Sequence, residues 1–173
     1  MTKFLLTVHV LAAIVAIGPV TVAASMFPPT ARRATADPTD PQAVAWVRLL
    51  HRICRVYAVM GVAVPVFGLA TANSMGVLGD TWLIASIVLT VIAAGVLGAL
   101  VLPRQEALLT GIEAMATAPA GTETPRAEHR QEPSQPESRR ATARLAMVTG
   151  IFNLLWATVT VLMIVRPGST TGA

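Results

Sequence analysis

Residues 82–102, WLIASIVLTVIAAGVLGALVL, decide how this chain folds. The run contains no ionisable side chain. About 20 apolar residues in a helix match a hydrocarbon core of roughly 30 Å. The run is too long for a buried strand and shows no alternation of period two. A strand would also leave its backbone groups unpaired in lipid, so a membrane-crossing helix is the reading that remains.

Three other stretches read the same way. Phe4 to Phe27 carries no charge, and His9 is its only ionisable group. Ile53 to Ala72 has Arg55 near its start, and Leu145 to Val165 has Asn153 near its centre. The whole chain is 54% hydrophobic and 13% charged, with a mean hydropathy of +0.64. Soluble domains carry about a quarter charged residues. One cysteine excludes a disulfide scaffold, and the apolar content excludes a disordered chain and nearly any water-soluble enzyme. The expectation is an all-α, integral membrane four-helix bundle, one domain over residues 1–173. Val22-Ala23-Ala24 before Ser25 resembles a signal-peptide cleavage site. A retained span is preferred, because the apolar run exceeds a usual signal core and only Lys3 precedes it.

Orientation follows from the thirteen Lys and Arg residues. Arg32, Arg33, Arg48, Arg52 and Arg55 lie in or beside the first connection. Arg104, Arg126, Arg130, Arg139, Arg140 and Arg144 flank or fill the third. The second connection has none, and the ends contribute only Lys3 and Arg166. Positive residues stay on the cytoplasmic side, so connections one and three are expected there and both termini outside. Trp82 then falls at the outer interface. The pI near 10.6 is explained by topology and anionic lipid contact, with no need for nucleic acid.

On the cytoplasmic face, Asp40-Pro41 reads as an N-cap followed by proline in the first turn. The second helix then starts well before the membrane. Arg48, Arg52 and Arg55 follow an i, i+4, i+7 stripe, read first as a lipid-facing, headgroup-contacting basic face. A sharper reading pairs this stripe with Glu106 and Glu113, if the third helix continues past Pro103. Residues 117–138 hold no aliphatic side chain beyond alanine, which predicts a disordered cytoplasmic loop with His129 a solvated bystander.

Catalytic signatures are missing: no glycine-rich phosphate loop, no paired cysteines, no HExxH. No carboxylate falls within a span, which weighs against a proton-coupled antiporter. Cys54 reads as a small buried apolar residue. Small residues recur at helical spacing as expected of packed membrane helices. They are Ala12, Ala16 and Ala23; Gly61, Pro65 and Gly68; Ser86, Thr90, Ala94 and Gly98; and Ala146, Gly150, Asn153, Ala157 and Thr160. Pro65 is expected to kink its helix. His9 falls at a depth similar to Thr71, Ser86 and Thr160, and is read either as a neutral imidazole bonded to a hydroxyl or carbonyl, or as a cofactor ligand. Asn153 is expected to make an interhelical hydrogen bond.

The opening Val8-His9-Val10-Leu11-Ala12-Ala13-Ile14-Val15 with Gly18, and the second-helix entry Arg52-Ile53-Cys54-Arg55-Val56-Tyr57, resemble the domain of unknown function 2269 family of bacterial integral membrane proteins. More distantly, the His-Val-Leu opening resembles the membrane protoporphyrinogen oxidase family and the copper-resistance D permease domains. These resemblances imply a multi-pass protein of the plasma (inner) membrane. The oxidase likeness implies haem b, with His9 as an axial ligand. Ala16, Ile17 and Gly18-Pro19 depart from that family's pattern, and Met60, a candidate second ligand, lies at a different depth. The seven methionines form no clustered copper site. The leading expectation is a non-enzymatic structural or interaction protein. It would meet anionic headgroups and a second copy or another membrane protein, and no nucleic acid. The alternatives are a haem-binding redox protein using His9 and a small permease.

Overall fold

The computed structural model describes residues 2–117 and 135–168, and all regular structure among them is helical. Four rods result, each containing a helix long and apolar enough to cross a membrane. The first is α1, Thr2–Ala36. The second is α2, Pro41–Met60, followed by α3, Ala63–Met75. The third joins α4, Thr81–Gly95, through a π-helical stretch, Val96–Val101, to α5, Leu102–Thr117. The fourth is α6, Gln135–Val165. The segment 117–138 lies outside the described residues, His129 included, except at its ends. Thr117 closes α5, and residues 135–138 belong to α6 instead of the expected loop.

Helix α1 continues nine residues beyond the expected span and passes through Pro28 and Pro29. Proline fixes φ at a helix-compatible value but removes an N–H, so the carbonyls of Ala24 and Ser25 lose their usual donors. Burial of Ala24, Phe27, Ala31 and Ala34 holds the helix together through this weak point. The first connection therefore shrinks to residues 37–40. Its Asp37 carboxylate accepts bonds from the Thr39 hydroxyl (2.6 Å) and backbone N–H (3.1 Å), which hold it below the ordinary carboxylate value. Asp40 then accepts the Gln42 N–H at 2.9 Å, with Pro41 in the first turn of α2.

The second rod breaks at Gly61-Val62, one turn before Pro65. Pro65 cannot donate to the Gly61 carbonyl, which instead accepts the Val64 N–H at 3.1 Å in a tighter turn. The third rod meets Pro103 differently. Its turn widens, with the Leu102 N–H reaching back to the Leu97 carbonyl, and the helix continues without interruption.

Helix α1 packs along α2 and α3 on one flank and against α6 on the other; α4 lies on α6, and α2 on α5. The main core gathers at the arginine-rich end around Phe27, Val47, Leu50, Leu109, Leu145 and Phe152. A smaller cluster of Ala72, Trp82 and Leu83, with Met163 against it, closes the other end. Trp82 is buried in it, donates to Asp80 at 2.9 Å, and lies 5.6 Å beneath the Arg166 guanidinium.

Two of the four small-residue stripes are turned away from the bundle interior. In the third rod, Ser86 is buried but Ala94 and Gly98 are exposed; the buried line runs Leu83, Ser86, Ala93, Leu97, Val101. Steps of four advance 400° around a helix, so each repeat drifts about 40° off the seam. In α6 the buried line is Thr142, Leu145, Thr149, Phe152 and Val159, while Ala146, Gly150, Ala157 and Thr160 face outward. Both lines keep helical spacing, and the large side chains Leu145 and Phe152 determine which one turns inward.

Candidate functional site

His9 is half-buried on α1, and its Nδ1 lies 2.9 Å from the Val64 carbonyl of α3. A carbonyl only accepts, so Nδ1 carries the proton and donates. The ring lies on Gly68: a Cβ built there would stand 2.9 Å from His9 Cε1 and 3.6 Å from Nε2. Gly68 is what lets α1 and α3 approach closely enough for this bond. The hydroxyls expected near His9 bond to their own helices instead. Thr71 donates to the Phe67 carbonyl (2.7 Å), Ser86 to Trp82 (2.8 Å) and Thr160 to Trp156 (3.0 Å). Thr71 and Ser86 are buried; Thr160 is exposed.

Haem is the group that the oxidase resemblance implies, and it would have to bind through Nε2, because Nδ1 holds the Val64 carbonyl. One side of the ring is packed on the Gly68 backbone. Met60 is exposed and lies one turn from Val64, toward the arginine-rich end. Among the described residues, no three His, Cys, Asp or Glu side chains gather as a metal site.

A second histidine, at the arginine-rich end, was not among the sequence candidates. His51 is buried on α2 with Nδ1 3.4 Å from Gln105 Oε1, and Gln105 Nε2 donates to Cys54 Sγ at 3.6 Å. Gln105 is fully buried on α5, so this chain ties the second rod to the third. The spacing Val44, Val47, His51, Cys54 marks one helical face and was the available signal.

The opposite face of α2 carries Arg48, Arg52 and Arg55, all exposed. Arg48 binds Glu113 of α5 through Nε (2.9 Å) and a terminal nitrogen (2.6 Å). Arg52 has no ion pair with Glu106 or any other described carboxylate.

Asn153 reaches from α6 to α1, its Nδ2 donating to Ser25 Oγ at 3.1 Å. Beside this bond opens a cleft of about 180 Å³, lined by Ser25, Pro28, Pro29, Arg32, Thr149 and Asn153. Asn153 Oδ1 and Thr149 Oγ1 are buried at its wall with no hydrogen-bond partner. Ala146 and Gly150, the outward-facing small residues of α6, leave the space open.

Fold and contacts together define an all-α, four-helix bundle of membrane-protein type. No known family model, curated protein or solved structure matches the chain.

Proposed function

We propose that this chain is a non-enzymatic, multi-pass protein of the plasma (inner) membrane that acts through its surfaces, as an interaction or assembly subunit. The observation that carries this reading is where the intramembrane polar groups are bonded. His9 bonds a carbonyl across α1 and α3, and Asn153 bonds Ser25. The Thr71, Ser86 and Thr160 hydroxyls bond their own helices and not one another or His9, which weighs against the permease alternative. The exposed arginines at one end suit the anionic cytoplasmic leaflet, with connections one and three inside and both termini outside.

The bond from His9 Nδ1 to a carbonyl favours one competing reading, because ligating histidines commonly donate their other nitrogen in this way. An absorption spectrum of protein purified from haem-replete cells separates the two. A colourless, haem-free preparation is the expected result. A Soret band that disappears in His9→Ala would overturn the non-redox reading.

A further inference from the structure

The cleft between α1 and α6 carries polar groups that the fold leaves unanswered. Thr149 is 2% exposed, yet its hydroxyl has no partner, and neither does the buried Oδ1 of Asn153. Unpaired buried polar atoms in lipid are costly, so a group that bonds them gains affinity. Pro28 and Pro29, which line the same cleft, also strip the Ala24 and Ser25 carbonyls of their helical donors. Asn153 Oδ1 can only accept, so the cleft calls for a hydroxyl donor. Its mouth carries Arg32, an exposed guanidinium suited to a phosphate.

The spacing of these groups fits one small molecule fragment. Ser25 and Asn153 are level with each other. Arg32 follows Ser25 by seven residues, about 10 Å along the helix, and Thr149 lies one turn from Asn153 toward Arg32. A volume of about 180 Å³ accommodates a three-carbon polyol and a phosphodiester. The flanking side chains Val22 and Met26 of α1, and Met147, Ile151 and Leu154 of α6, are exposed and apolar. A ligand with acyl chains would lay them along these side chains, whereas a soluble phosphate would have no use for them.

We propose that the α1–α6 cleft binds the phosphoglycerol group of an anionic phospholipid, with the phosphate on Arg32 and the headgroup glycerol folded back into the cleft so that one of its hydroxyls donates to Asn153 Oδ1. Thr149 supplies the second hydroxyl contact. The site goes beyond the interaction role proposed above and holds for either orientation, since both leaflets present phospholipid.

The full chain in nanodiscs of mixed phosphatidylglycerol and phosphatidylcholine tests this, with co-purifying lipid measured by native mass spectrometry. Wild type is expected to retain phosphatidylglycerol selectively. Arg32→Gln should lower retention about tenfold, the loss expected from one charge-assisted bond of about 1.4 kcal/mol. Arg33→Gln, adjacent but outside the cleft, should retain it. Thr149→Val preserves shape and removes an unpaired hydroxyl. Its melting temperature in phosphatidylcholine alone should therefore equal or exceed wild type while its phosphatidylglycerol retention falls. Equal retention of both lipids would overturn the proposal, as would wild-type retention in both Arg32→Gln and Thr149→Val. Soluble glycerol phosphate displacing the lipid at equal concentration would reassign the site to a free phosphate ester.

Discussion

Gly68 sets how closely α1 and α3 approach. A methyl there would meet His9 Cε1 at 2.9 Å and Nδ1 at 3.2 Å, so the ring must swing away and release the Val64 carbonyl. Overpacking costs about 1–3 kcal/mol. Gly68→Ala should destabilise by that amount on chemical denaturation in micelles. His9→Ala should cost less, and the double variant should cost less than the sum, because removing the ring makes room for the methyl. Additive costs would show that the two residues do not share this contact. Both were legible in the sequence: His9 as the only ionisable group of an uncharged run, Gly68 as part of a small-residue stripe. The partner was not, because every backbone carbonyl reads alike in a sequence. His51 is hidden in the sequence for another reason. It sits among Arg48, Arg52 and Arg55, where it reads as one more polar residue of a solvated face, although Val44, Val47 and Cys54 place it on the buried one.

At the scale of the element, the third rod shows how a helix keeps a useful face past a proline. The π-helical stretch Val96–Val101 widens the turn before Pro103, and α5 then presents Gln105, Leu109 and Ile112 inward. Glu113 comes to lie opposite Arg48 on α2. The pair is exposed, 60% at Arg48 and 38% at Glu113, which limits it to the surface range of about 0.2–1 kcal/mol. Arg48→Glu and Glu113→Arg should each lower stability slightly, and the double swap should recover it, with a coupling that fades as salt is raised. No recovery at low salt would show that the contact contributes nothing. Helix existence and the Asp40 cap follow from local chemistry and were legible; continuation past Pro103 entered the sequence reading only as a condition, because a proline locally favours a break. The buried face of α4 was not, because a repeat of exactly four residues drifts around the helix. In α6 two lines of helical spacing competed, and the bulk of Leu145 and Phe152 decided between them only once the neighbouring helices were in place.

Over the whole molecule, length and charge point the same way. The helical rods Thr2–Ala36, Pro41–Met75 and Thr81–Thr117 hold 35, 35 and 37 residues, roughly 52–56 Å each at 1.5 Å per residue. The hydrocarbon core is roughly 30 Å. Lys3, Asp80 and Arg166 mark one edge of the apolar zone, so the excess projects from the other, arginine-rich end. There Val44, Val47, Leu109 and Ile112 are buried against water, where the hydrophobic effect operates, which accounts for the main core lying at that end. On the proposed orientation, this projecting, positively charged bundle lies on the cytoplasmic side, where the same bias that orients the spans would hold it. A reporter active only outside the membrane should therefore work when fused after Ala173 and fail when inserted between Asp37 and Asp40. Placing four arginines in the turn between Gly76 and Asp80 should oppose this bias and give a mixed population. Unmixed wild-type orientation in that variant would show that the projecting bundle, not the arginines, sets the direction.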